Sequence, residues 1–120
     1  MFNLRAILLG LIAMLGLPGL AAAHAFLEKS APDANAVMDQ APQNVQLWFS
    51  RGIEPSFSSI RVVDGAGKEV NQGKAAVSDS DDKLIAVALE PLASGKYKVI
   101  WRIVAFNGHK AQGEYAFTVK

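Results

Sequence analysis

The chain has 120 residues, with 12 Lys and Arg against 11 Asp and Glu, and it contains no cysteine. This length suits one small domain. The near-neutral charge lacks the basic surplus typical of nucleic-acid binding and the acidic surplus that would attract a cationic partner. Without cysteine the chain has no disulfides and no thiolate ligands, which excludes zinc fingers, iron–sulfur clusters and blue-copper centres.

The first 23 residues have the pattern of a secretory signal peptide. Arg5 supplies a positive charge, residues 6–17 form an apolar stretch, and Ala21-Ala22-Ala23 provides small residues at the −3 and −1 positions of a cleavage site. The apolar stretch is shorter than the ~20 residues of a membrane-spanning helix. We therefore predict export to the periplasm, a signal peptide at 1–23 and a mature domain at 24–120 that begins with His24.

Two other interpretations of this leader stay open. Cleavage after Ala25 also satisfies the small-residue rule, since Ala23 would then occupy the −3 position, and it would remove His24. The leader could also be retained as an uncleaved membrane anchor. Cleavage after Ala23 is favoured because the apolar stretch lies closer to that site.

The mature part of the chain consists of short segments that alternate apolar and polar residues. The predicted strands are 45–50, 60–63, 84–89, 97–103 and 114–119. Turn-forming residues separate them at 42–44, 64–67, 78–82 and 94–95. Short strands spaced in this way indicate an all-β sandwich or barrel. The predicted core stripe is Leu47, Phe49, Val62, Val99, Trp101, Ile103, Tyr115 and Phe117.

The two histidines of the chain, His24 and His109, are candidate metal ligands. An N-terminal His24 offers its α-amine and its imidazole Nδ1 to one ion, and His109 would add a third nitrogen. Copper(II) favours nitrogen ligands in a tetragonal plane, whereas zinc would use the same nitrogens in a tetrahedron. The alternatives also stay open: His24 is a solvated terminus and His109 a surface residue beside a turn.

Asn107-Gly108 predicts a tight hairpin turn, because both residue types tolerate a positive φ. The turn would join a strand that ends near Ala105 to one that starts near Gly113. Trp48 is out of register with its apolar neighbours, so it would face the second side of the sheet or the surface. We expect it to cover a neighbouring loop rather than to stack on a substrate. Met38 is the one methionine after the leader, and a lone thioether cannot build a copper(I) site.

Several stretches, taken in order, resemble the CopC family of periplasmic copper-binding proteins in its short, YobA-like single-domain form. They are His24-Ala25-Phe26-Leu27, Ser30-Ala31-Pro32, Leu47-Trp48-Phe49-Ser50, Gly52-Ile53-Glu54-Pro55, Pro91-Leu92, Ser94-Gly95-Lys96-Tyr97, Trp101-Arg102-Ile103-Val104, Asn107-Gly108-His109-Lys110, Gly113, Tyr115 and Phe117. The resemblance implies an immunoglobulin-like Greek-key β-sandwich, a variant of the cupredoxin-like barrel, over residues 24–120.

The resemblance also implies one copper(II) ion as the bound metal. Its ligands would be the amine and imidazole of His24, together with the His and the Asp of an Asp-x-His motif. The histidine of that motif corresponds to His109, but the Asp position is occupied by Asn107, which would be a weak or outer ligand. Arg51 stands where relatives often carry Glu. Both differences remove negative charge near a dication, so the resemblance implies an altered copper affinity.

The function implied is that of a monomeric periplasmic copper(II) carrier or buffer in copper homeostasis or resistance, which is not an enzyme. An inner-membrane copper transporter of the CopD type would be its partner. One alternative is a metal-free β-sandwich interaction module that has lost the site. The other is a copper oxygenase that uses the two histidines as a histidine brace.

Overall fold

The computed structural model of the protein describes residues 25–120. These form the strands β1 (Leu27–Ala31), β2 (Val37–Met38), β3 (Asn44–Phe49), β4 (Ser59–Val63), β5 (Asn71–Val77), β6 (Leu84–Leu89), β7 (Gly95–Val104) and β8 (Lys110–Val119). A short 3-10 turn at Pro55–Phe57 precedes β4. No helix in this part of the chain has the length and hydropathy needed to cross a membrane. The predicted signal peptide at 1–23 and His24 lie outside the described residues.

The strands form two four-stranded sheets, with the orders β1-β3-β6-β5 and β2-β8-β7-β4. Neighbouring strands are antiparallel, except that β2 pairs with β8 in parallel. Most neighbours in a sheet are not consecutive along the chain, so the connections cross from one sheet to the other. The predicted all-β sandwich of the immunoglobulin-like Greek-key type is confirmed.

The core lies between the sheets and is filled by every second residue of the central strands. Seven of the eight predicted core residues are buried, and Tyr115 is half-buried against the same cluster. This outcome follows from the pleat, because residues two apart on a strand share one face. Burial raises the pKa of the Tyr115 hydroxyl to about 12, and the negative charge of Asp33 acts in the same direction.

The strands that the sequence did not indicate, β1, β2 and β5, are edge strands or very short. β5 (Asn71–Val77) directs only two half-buried side chains, Ala75 and Val77, toward the core, and its pairing with β6 is irregular between Gln72 and Ala76. These three strands bury at most one residue each and so carry a weak hydrophobic pattern, whereas the edge strand β4 buries three residues and was predicted. β8 also begins earlier than predicted, at Lys110 rather than near Gly113, because its pairing with β7 continues to Val104.

Trp101 and Gly113 lie opposite each other in the β7–β8 hairpin. The indole of Trp101 also packs against Phe49 and Tyr115, with ring centroids 6.2 and 6.1 Å apart. A Cβ atom at position 113 would lie 2.5 Å from the indole ring. Position 113 therefore has to be glycine for Trp101 to keep its place in the core.

We predict that Gly113→Ala lowers the free energy of unfolding by roughly 1–3 kcal/mol, as expected for overpacking a tight core. Urea denaturation followed by tryptophan fluorescence measures the change. Gly65→Ala is the matched control, because no atom lies within 4 Å of a Cβ at that exposed turn position. Equal stabilities of the two variants would contradict this account of Gly113.

Candidate metal site

The loop that carries Asn107 and His109 closes the β7–β8 hairpin. The Ala105 N–H donates to the His109 carbonyl at 2.9 Å, and the Gly108 N–H donates to the Ala105 carbonyl at 2.8 Å. Gly108 has a φ of 86°. This pattern fits a three-residue hairpin loop that ends in a left-handed glycine. The predicted turn is therefore present. Gly108 has the positive φ and Asn107 does not, since Asn35 is the one non-glycine residue within 25–120 with positive φ.

Asn107 and His109 are coupled through the backbone of this loop. The Asn107 side-chain oxygen, Oδ1, accepts a hydrogen bond from the His109 N–H at 3.1 Å. The Asn107 residue is exposed, whereas His109 is half-buried and its Nδ1 atom is shielded from solvent. The amide of Asn107 thus fixes the backbone from which the His109 imidazole projects.

The hairpin loop is attached to the segment that follows β3. The Phe106 N–H donates to the Gly52 carbonyl at 3.0 Å, and Ile53 forms a β-bridge with Ala105. The Phe106 ring lies over Gly52 so closely that a Cβ there would meet ring carbons at 2.6 Å. Gly52 therefore permits the contact that holds the His109 loop against the rest of the sandwich.

The first described residues reach the same end of the sandwich. The Ser50 N–H donates to the Phe26 carbonyl at 2.9 Å, and the Phe26 N–H donates to the Ser50 hydroxyl at 3.0 Å. Ala25 is buried, with 4% of its surface exposed. Because Ser50 and Gly52 are separated by one residue, Phe26 and the His109 loop are attached to adjacent points of one short segment.

Three charged residues lie in or beside the segment that follows β3. Arg51 is exposed and lies between Ser50 and Gly52. The Asp82 backbone carbonyl accepts from the Ile53 N–H at 2.8 Å, and its carboxylate lies 3.0 Å from where a Gly52 Cβ would be. The Glu54 carboxylate accepts from the Ser56 N–H at 3.4 Å. Asp82 was missed by sequence reasoning, since no local motif connects residue 82 to residue 109.

The side chains that commonly bind metal ions do not form a cluster within the described residues. Within residues 25–120, no three His, Cys, Asp or Glu side chains lie close enough together to hold a metal ion. The structure thus brings together His109, Asn107 and Arg51 among the residues singled out from the sequence, and His24 lies outside the description.

Two further residues singled out from the sequence lie away from the His109 loop. Trp48 is half-buried on the outer side of β3, and the Lys29 ammonium lies 4.6 Å from the centroid of its ring. Trp48 is therefore at the surface as expected, but its contact with Lys29 is with the neighbouring strand β1 and not with a loop. Met38 is on β2 and packs partly buried against the core. Its thioether therefore has a structural role.

A family model described as the CopC domain matches residues 27–120. The chain belongs to the CopC family. Protein YobA of Escherichia coli (strain K12) is 37% identical to it over 99 residues, which cover 82% of this chain and 80% of YobA. Copper resistance protein C of Escherichia coli is 32% identical over 123 residues, which cover 97% of this chain and 96% of that protein.

The fold of this CopC-family chain also matches a solved structure of the family. The crystal structure of CopC from Methylosinus trichosporium OB3b aligns with a TM-score of 0.76 at 34% identity, covering 81% of this chain and 94% of that one. Sequence and fold therefore agree on the family that the sequence motifs suggested. The assignment of individual copper ligands stays a prediction.

Proposed function

We propose that this CopC-family chain is a periplasmic copper(II)-binding protein, and not an enzyme, that carries or buffers copper in copper homeostasis or resistance. One ion per mature chain is held by the α-amine and imidazole of His24 and by the imidazole of His109. The observation that carries the proposal is that Phe26 is hydrogen-bonded to Ser50 while the His109 loop is hydrogen-bonded to Gly52. Both attachments lie at one end of the sandwich.

The short tether between Phe26 and position 24 supports this arrangement. Two residues of extended chain span at most ~7 Å. The anchoring of Phe26 at Ser50 therefore keeps the start of the mature chain near the segment to which the His109 loop is attached. Three nitrogen donors from two residues suit the tetragonal preference of copper(II) and leave a fourth position for an oxygen donor.

The charges around the loop favour weaker copper binding than a carboxylate at position 107 would give. The neutral Asn107 oxygen already accepts from the His109 N–H. Arg51 adds a positive charge to the segment that connects Phe26 with the loop. A dication gains less from an amide oxygen than from a carboxylate, so Asn107 is a weak or outer ligand.

The same two residues favour a second candidate function. An exposed amide at 107 and an exposed guanidinium at 51 also suit a β-sandwich interaction module that no longer binds metal. A copper titration separates the two candidates, because the module would bind no stoichiometric copper. If the chain were instead an oxygenase, reductant-dependent oxidation of a glycan would reveal it.

As a carrier the chain would act as a monomer and deliver copper to an inner-membrane transporter of the CopD type.

We predict that the exported chain binds one copper(II) ion and that His24→Ala and His109→Ala each lose this binding. Each substitution deletes nitrogen donors, and the chain has no third histidine. Intact mass first establishes that the exported chain begins at His24, and a competition titration then measures the affinity. Gln112→Ala is the control. It should bind copper normally, because Gln112 is an exposed residue of β8 that is not a proposed ligand. An unchanged titration for either histidine variant would refute the ligand assignment.

We predict that acid releases the metal. Copper competes with protons for imidazole and amine nitrogens, so the affinity should fall steadily from about pH 8 to about pH 5, the range in which such groups take up protons. Competition titrations at several pH values measure this fall. A constant affinity across the range would indicate oxygen ligands in place of the two histidines.

We predict that Asn107→Asp tightens copper(II) binding about tenfold, which corresponds to ~1.4 kcal/mol. One carboxylate oxygen can keep the hydrogen bond to the His109 N–H while the other approaches the ion. The loop should survive, since Asp-Gly suits such hairpins as well as Asn-Gly does. The matched control is Asn44→Asp, because Asn44 is exposed at the opposite end of β3. Equal tightening in both variants, or none at Asn107, would show that position 107 does not reach the copper.

A further inference from the structure

The outer side of the sheet β2-β8-β7-β4 is strongly basic. Its strands point one set of residues into the core, so the alternate positions face outward. These outward positions carry five cations, which we call the basic face: Arg61, Lys96, Lys98, Arg102 and Lys110. All five are exposed. Glu114 is the one acidic residue on the outward positions of these strands.

These cations are gathered on one face of a domain whose total charge is near zero. Without Arg5, the 12 Lys and Arg of the chain become 11, which equals the number of Asp and Glu. Ion pairs on the face involve Lys98 with Glu114 at 3.3 Å and Arg61 with Glu69 at 3.6 Å. Each of these two carboxylates offsets one cation, so three of the five positive charges on the face have no paired acid among the described residues. Lys96, Arg102 and Lys110 belong to none of the ion pairs within 25–120.

An exposed aromatic ring borders the basic face. Phe57, in the 3-10 turn before β4, has 71% of its surface exposed. It lines an open groove of about 680 Å³ together with Arg102, Val104 and Lys110. The groove therefore combines two cations with a solvent-exposed phenyl ring. This combination is typical of surfaces that enter the headgroup region of a bilayer.

The length of the basic face favours an extended anionic partner over a small anion. From Lys96 to the pair Val104–Lys110 the face runs along eight residues of β7, which is ~26 Å at about 3.3 Å per residue. A small anion could contact only one or two of the cations. A layer of anionic headgroups offers phosphates along the whole length and an apolar boundary for Phe57.

We propose that the basic face docks the protein onto an anionic phospholipid bilayer, with Phe57 entering the headgroup region. His109 directly precedes Lys110, so the docked protein holds the candidate metal loop beside the membrane. Docking uses charges that lie outside the copper ligands. It therefore does not depend on the proposed function and can be measured with metal-free protein.

The test is cosedimentation of the exported, metal-free chain with vesicles. One set contains equal parts of phosphatidylglycerol and phosphatidylcholine, and the other contains phosphatidylcholine alone. We expect binding to the anionic vesicles that weakens as salt rises from about 50 to about 500 mM, because screening shortens the reach of surface charges. Phe57→Ser should reduce the binding that persists at high salt.

Charge-reversal variants locate the binding surface. Each Lys or Arg at an anionic surface is worth about fivefold in partition. Lys96→Glu with Arg102→Glu should therefore weaken binding at least about 25-fold. The control pair, Lys74→Glu with Lys83→Glu, changes the net charge equally but lies on β5 and the loop before β6, and it should bind within about twofold of the unmodified chain. Circular dichroism verifies that both pairs are folded.

Three results would overturn the proposal. The first is no preference for anionic over neutral vesicles at low salt. The second is an equal loss of binding in both pairs of variants, which would show a response to net charge alone. The third is binding to poly-glutamate without binding to anionic vesicles, which would identify the basic face as a surface for an acidic protein.

Discussion

The hydrogen bond from the Phe106 N–H to the Gly52 carbonyl is the contact on which the candidate site depends. It attaches the loop of the β7–β8 hairpin to the segment after β3, and Ser50 in that segment binds Phe26. The Phe106 ring closes over Gly52 at a distance that no side chain at position 52 would allow. One short segment thus brings together parts of the chain that are about 80 residues apart.

The central strands could be predicted from the sequence, whereas the assembly of the site could not. Leu47 and Phe49 on β3, and Val99 and Trp101 on β7, show the alternation that a half-buried strand requires, and they are buried as expected. β5 escaped prediction because none of its residues is fully buried, so its sequence lacks the apolar alternation. The positions of Asp82 and Phe106 beside Gly52 depend on contacts between distant segments, which no local pattern encodes.

In the proposed copper site, the residue at position 107 would affect the loop structure and the metal affinity differently. An Asn or an Asp at position 107 can accept the hydrogen bond from the His109 N–H, so either residue keeps the loop in shape. Only the carboxylate adds negative charge for a dication. The hairpin can therefore keep its geometry while the proposed copper site is electrostatically weaker, and the exposed Arg51 would act in the same direction.

The central claim is that the free α-amine of His24 binds copper together with the two imidazoles. It is tested most directly by comparing copper(II) affinities of the mature chain and of the same chain with one alanine added before His24. The addition keeps both imidazoles and displaces only the amine from its chelate. The account predicts that the added residue weakens binding at least about tenfold, or ~1.4 kcal/mol. Equal affinities of the two chains would contradict it.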